Sequence, residues 1–247
     1  MTAFEAGAIA AAGFVSGIVN TLAGGGSLLT VPLLVMIGLP GTVANGTNRV
    51  GVFVQSVVGA LRFRAEGVSG FSKALPVLLP LLAGGTLGAL AVAHLDDETF
   101  ERLFGIVMLL LLVPALWPPR TGTDDTARPA MHPIASAVTF FGIGLYGGSF
   151  QAGVGLFMVL ALARVGHGLV LANSIKMVTI AAFTAVAVAI FVYEGQVVWV
   201  PALILSAATA LGATVGTRIA VRGGERVIRP AIALAVVALA GRMLRLY

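Results

Sequence analysis

The chain has 247 residues, 58% of them hydrophobic and 10% charged, with a formal net charge of +5 and a mean hydropathy of +1.03. A soluble domain carries about 25% charged residues, so this chain lacks the polar surface to face water, and a lipid bilayer is the solvent that fits. The absence of cysteine excludes disulfides, thiolate metal sites and a cysteine nucleophile, and basic residues scattered over loop ends argue against a nucleic-acid partner despite a pI near 10.4.

Taken in chain order, the apolar runs are long and do not alternate, which excludes a β-barrel and predicts helices. The first covers roughly 4–23, and Glu5 stands where a cleaved signal would carry basic residues, so it reads as a retained helix. A short run at 27–38 follows, then runs at 44–63, 74–93 and 103–119. After a polar linker at 120–132 come runs at 134–150, 171–192, 200–219 and 230–246, with a second short run at about 154–163. A span needs about 20 apolar residues, so the two short runs read as half-helices or re-entrant segments. Trp117-Pro118-Pro119 and Trp199 read as interfacial anchors. The expected fold is an all-α integral membrane protein with about eight full transmembrane helices and two short ones. Its parts are a first repeat (1–119), a cytoplasmic linker (120–132) and a second repeat (133–247).

The two repeats echo each other. Gly24-Gly25-Gly26 before one short run is answered by Gly153-Val154-Gly155 before the other. Arg49 and Lys176 pair at an offset of 127 (176 − 49), whereas Asn45 with Asn173 and Gly84-x-x-x-Gly88 with Gly212-x-x-x-Gly216 pair at 128 (173 − 45). Corresponding loops carry opposite charge: Arg62, Arg64 and Lys73 face only Glu194, and Asp96, Asp97, Glu98 and Glu101 face Arg222, Arg226 and Arg229. By the positive-inside rule these loops lie on opposite sides, which predicts an inverted repeat with both termini outside. Arg242 and Arg245 at the outer end count against that orientation; a parallel repeat with cytoplasmic termini is the alternative, which explains those two arginines but not the exchange of loop charges.

The candidate chemistry is anion binding. Gly24, Gly25, Gly26 and Ser27 open one short helix and Gly153 and Gly155 the other, so unpaired N–H groups and the positive dipole end face whatever lies beyond. Arg49 and Lys176 each follow a polar cluster (Asn45, Thr47, Asn48; Asn173, Ser174) inside a long apolar run. A buried cation needs a partner, and no carboxylate is near in sequence, so a bound anion is the expected one; snorkelling to the interface is the competing reading. Asn20, Thr21, Gln55, Ser149, Gln151 and Thr179 are further candidates for lining a path, each as readily an interhelical hydrogen bond. His94-Leu95-Asp96-Asp97-Glu98 reads as a hydrated acidic loop, so neither metal nor cofactor is expected. Enzyme motifs such as His-Glu-x-x-His and Gly-x-Ser-x-Gly are missing. Small residues suit internal packing and a homodimer seam equally.

The stretch Gly13-Phe14-Val15-Ser16-Gly17, Ala23-Gly24-Gly25-Gly26-Ser27-Leu28-Leu29-Thr30-Val31-Pro32, Gly38-Leu39-Pro40 and Gly46-Thr47-Asn48-Arg49 resembles the TauE/SafE family of sulfite-exporter-like membrane proteins. In the second half Gly142-x-Gly144, Gly153-x-Gly155 and Asn173-Ser174-Ile175-Lys176 resemble the family's weaker motif. The family often has Thr-Asn-Lys where this chain has Thr47-Asn48-Arg49, which keeps the cation and changes its donor geometry. The resemblance implies a multi-pass transporter of the bacterial inner membrane exporting sulfite, sulfonates or related organosulfur anions. An anion channel and a transporter of unrelated substrate are the alternatives.

Overall fold

The computed structural model describes residues 1–104, 106, 131–224, 226–228 and 230. Most of the run at 103–119, all but the first residue of the run at 230–246, most of the linker, Trp117-Pro118-Pro119, Arg229, Arg242 and Arg245 lie outside the described residues.

Eight helices organise the described chain. The first half contains α1 (Ala3–Leu22), α2 (Ser27–Met36), α3 (Gly41–Ala65) and α4 (Phe71–Ala93). The second contains α5 (Pro133–Ser149), α6 (Val154–Arg164), α7 (Leu169–Tyr193) and α8 (Trp199–Gly223). These bounds match the apolar runs closely, because glycine and proline punctuate them. Pro40 precedes α3, Gly168 precedes α7, and left-handed glycines at 38, 67, 166 and 195 close the turns. Thr2 and Glu5 form a capping box that starts α1. Among the described residues, α1, α4, α7 and α8 are long and apolar enough to cross a bilayer. α3 has comparable length, but its polar cluster and three arginines lower its hydropathy.

Close contacts set the direction of each helix. A Cβ on Gly13 would meet Leu205 and Ala208, and one on Gly216 would meet Ile18 and Thr21, so α1 and α8 run parallel. Likewise Gly84 faces Phe141 and Leu145 while Gly88 faces Leu145 and Ser149, so α4 and α5 run parallel. α3 lies parallel to α8, with Thr47 at Val198 and Gly51 at Leu205. α4 lies parallel to α7, with Gly85 at Phe183 and the Ala93 carbonyl at Gln196. α3 and α7, by contrast, are antiparallel: Gly46 meets Phe191 and Gln196, Gly59 meets Met177, and Val68 is held by Ser174. Thus α1, α3 and α8 point one way and α4, α5 and α7 the other.

These directions sort the charges. One end of the molecule gathers Arg62, Arg64 and Lys73 with the end of α8, where Arg218 lies 4.0 Å from Glu66. The other end gathers Glu5, Asp96, Asp97 and Glu194. There Asp97 accepts from Thr42 N–H at 3.0 Å and the Thr42 hydroxyl at 2.5 Å, placing a carboxylate on the positive end of α3. Asp96, fully exposed, is held below its ordinary carboxyl range by hydrogen bonds from Thr99.

Polarity runs opposite to that of a soluble protein. Leu75 and Leu79 are 66% and 77% exposed, while Arg49, Lys176, Asn45 and Asn173 are 0% exposed. Apolar rims with a polar interior suit a protein solvated by lipid. Glycine makes the tightest helix seams possible, since a Cβ on Gly148 would sit 2.1 Å from the Gly85 carbonyl oxygen. Gly148→Leu is therefore expected to destabilise the fold by at least ~1–3 kcal/mol. Gly142→Leu, earlier on the same helix with open space around it, should leave it intact. Thermal melting of the two purified variants in detergent checks the difference, and equal melting temperatures would refute the seam.

Candidate functional site

Two helix hairpins build the site. α1 stops at Leu22, the chain turns through Gly24, Gly25 and Gly26, and α2 starts at Ser27. Thr30 of α2 then bonds to Asn48 of α3, and α2 leads back to the start of α3 at Gly41. In the second half α5 stops at Ser149, Gly153 takes a left-handed φ of +70°, and α6 starts at Val154. The two turns touch backbone to backbone: a Cβ on Gly24, whose φ is +90°, would lie 2.4 Å from Gly155 Cα, and one on Gly155 would lie 2.5 Å from Gly24 Cα. Only glycine permits this approach.

A helix that ends inside a protein leaves its last carbonyls unpaired. Here the other half supplies the partners. Lys176 of α7 donates to the carbonyls of Asn20 at 2.7 Å and Thr21 at 3.1 Å, and Asn173 donates to that of Leu22 at 3.3 Å. Arg49 of α3 donates to the carbonyls of Gly147 at 3.0 Å and Gly148 at 2.5 Å, and Asn45 donates to that of Ser149 at 3.1 Å. The last turn of α1 is thus capped by α7, and the last turn of α5 by α3. Each cation also sits at the negative end of a helix dipole, where positive charge is favoured. Asn173 Oδ1 completes the Lys176 shell at 2.5 Å; Gln151 Oε1 at 3.2 Å and the Phe191 ring, 4.9 Å from the guanidinium carbon, complete that of Arg49.

The structure brings the sequence candidates together unequally. Gly24, Gly155, Lys176 and Asn173 converge at the hairpin contact, and Arg49, Asn45, Ser149 and Gln151 converge at the end of α5. Asn48 accepts from the Thr30 hydroxyl at 2.6 Å. Thr47 and Ser174 tie loops instead, Thr47 accepting from Val198 N–H at 3.0 Å and Ser174 donating to the Val68 carbonyl at 2.9 Å. Asn20 donates to Gln55 at 3.3 Å, Thr21 donates to the Gly17 carbonyl, and Thr179 bonds within its own helix. Neither cation snorkels to the surface, and in this conformation most of their partners are main-chain carbonyls.

Sequence reasoning had no access to those carbonyls, because a helix end leaves no side-chain signature. It also missed the weight of Gln151, which is 2% exposed at a left-handed φ of +61°. A signal existed: 127 residues earlier stands Gly24, with φ +90°. Matching features lie 127 apart up to the hairpin tips (Asn20 and Gly147, Gly24 and Gln151) and 128 apart beyond them (Gly38 and Gly166, Gly67 and Gly195), with Arg49 and Lys176 the exception at 127 (176 − 49). α6 has 11 residues where α2 has 10, which accounts for the step.

Known proteins of the same kind are found across the whole chain. Residues 9–243 match the family model described as sulfite exporter TauE/SafE. A probable membrane transporter protein of Haemophilus influenzae is 26% identical over 223 residues, covering 90% of this chain and 88% of its own length. The probable membrane transporter protein ORF9 of a Sinorhizobium species is 27% identical over 235 residues, covering 94% and 90%. The probable membrane transporter protein YfcA of Escherichia coli is 26% identical over 231 residues, covering 93% and 86%. No solved structure matches. With its apolar helices, polar interior and a family match over nearly its full length, the chain belongs to the TauE/SafE family of membrane transporters.

Proposed function

We propose that this protein exports small anions across the bacterial inner membrane as a multi-pass transporter, by alternating access between two inverted repeats. Sulfite, sulfonates and related organosulfur compounds are the substrate class; of these the family's description names sulfite. The observation that carries the reading is the meeting of the two hairpins at Gly24 and Gly155. Each hairpin brings a negative helix end and a positive helix end to one place. Arg49 and Lys176 neutralise the negative ends of α5 and α1. Among the described residues no side chain caps the positive ends of α2 and α6, opened by Gly25, Gly26, Ser27 and Gly153. The pair of turns therefore favours an anion, with Asn45, Thr47, Asn48, Asn173 and Ser174 as the surrounding polar shell.

The antiparallel crossing of α3 and α7, and the matching of the α1–α8 seam by the α5–α4 seam, support inversion. The charge difference between the two ends supports a cytoplasmic linker and outward termini. Because α1 packs on α8 and α5 on α4, the moving bodies each combine helices of both halves. A potential negative inside favours anion exit by about 2.3 kcal/mol per charge per 100 mV, so export needs no coupling ion.

Liposomes holding the purified protein should show potential-sensitive sulfite flux that exceeds chloride and acetate flux. Arg49→Ala and Lys176→Ala should each reduce it at least ~100-fold, since each leaves two buried carbonyls unpaired and a helix end uncompensated. Flux unaffected by either change would remove the two-cation arrangement from the mechanism. Gln151→Gly should relieve about 1–2 kcal/mol of left-handed strain, raising the melting temperature while lowering flux through the lost Arg49 contact. A melting temperature that falls would refute the strain. The cysteine-free chain also permits a direct orientation test. A maleimide that cannot cross membranes should label Glu194→Cys in intact cells and Lys73→Cys only after permeabilisation; the reverse pattern would invert the topology.

A further inference from the structure

The two capped helix ends differ in their hydrogen-bond balance. At the end of α1 nothing is left over: the three N–H groups of Lys176 have three acceptors, and both side-chain atoms of Asn173 are used. At the end of α5 three side-chain atoms have no partner: Asn45 Oδ1, Asn48 Nδ2 and Arg49 Nε. All three residues are at most 1% exposed. Buried polar atoms without partners are costly and rare, and they concentrate at functional sites. These three lie at positions i, i+3 and i+4 of α3, hence on one face. The strained Gln151 stands at the same end, whereas the matching position of the first half is an unstrained glycine.

We infer that this face of α3 supplies the contacts by which the transported anion is selected, that the ligand is an oxyanion carrying one proton, and that Lys176 braces α1 without touching it. The inference rests on the anion-transport reading above. Its chemistry follows from the unpartnered atoms. Arg49 Nε and Asn48 Nδ2 are donors and suit two oxygens of one oxyanion, with the guanidinium supplying the charge. Asn45 Oδ1 is an acceptor, held in place because its own Nδ2 is committed to the Ser149 carbonyl. A ligand O–H satisfies it. A halide or a fully deprotonated oxyanion lacks that hydrogen, and each would leave the acceptor facing negative charge. A site that hydrogen-bonds a ligand hydroxyl discriminates strongly against an analogue without one.

The test compares hydrogen sulfite with methanesulfonate, which has the same charge and three oxygens but no donor. Calorimetric titration of the whole chain in lipid nanodiscs, at a mildly acid pH where sulfite is chiefly its singly protonated monoanion, should show hydrogen sulfite bound at least about tenfold more tightly. Asn45→Ala should erase that preference, and Asn48→Asp, which keeps the Thr30 contact but removes the free donor, should weaken both anions at least about tenfold. Thr184→Ala, which removes an unpartnered buried hydroxyl from α7, should leave affinity and preference unaltered. Equal losses in Asn45→Ala and Thr184→Ala would overturn the one-sided site while leaving anion transport standing. Wild-type protein that binds methanesulfonate as tightly as hydrogen sulfite would overturn the proton requirement, whether or not any variant folds. Wild-type protein that binds neither anion would remove the anion reading itself, and this inference with it.

Discussion

The architecture depends on one constraint: a helix that stops inside a protein solvated by lipid must still satisfy its final carbonyls. α1 and α5 both stop in the interior, at Leu22 and Ser149, where their last carbonyls need partners. The partners come from the opposite half, Lys176 and Asn173 for one helix and Arg49 and Asn45 for the other. The same side chains offset the negative end of each dipole. Four residues thus terminate two helices, neutralise two charges and join the halves. A charged side chain in an apolar interior, which on its own would be unfavourable, becomes the element that makes a broken helix tolerable.

Once the two helices can stop, the rest of the site follows. Each chain turns back through glycines, and the turns meet at Gly24 and Gly155 because neither has a side chain to keep them apart. The short helices α2 and α6 then direct their positive ends toward the contact. Glycine seams between α1 and α8 and between α4 and α5 hold the crossing helices close enough for the side chains of α3 and α7 to reach across. The halves are interleaved, so a transport cycle in which whole halves rock would have to break these seams. Bodies that mix helices of both halves would not.

Much of this was legible in the sequence. Runs such as 74–93 and 171–192 predict α4 and α7 to within a few residues, because apolar composition and glycine or proline stops act locally. The short runs stood out by length alone, and the glycine triplet at 24–26 by composition. Arg49 and Lys176 stood out because cations are costly within apolar runs. What stayed hidden was the partner of each cation. A sequence displays side chains, and the acceptors here are mostly backbone carbonyls about 100 to 156 residues away.

The pairing of the repeats shows where local pattern ends and tertiary structure begins. Sequence matches at 127 and 128 looked like competing registers. Both occur: α6 is one residue longer than α2, which moves the pairing from 127 to 128, while Arg49 and Lys176, past that step, still stand 127 apart (176 − 49). By itself the sequence determined the solvent, the helix positions, the two short elements and the family resemblance, all of which rest on composition and spacing along the chain. Only the tertiary structure decided that Arg49 and Lys176 cap helices of the opposite half, that Thr47 and Ser174 serve loops, and that unpartnered polar atoms collect around Arg49 and not around Lys176. Those outcomes depend on which helix ends face which side chains across the molecule, and no periodicity along the chain encodes that distance.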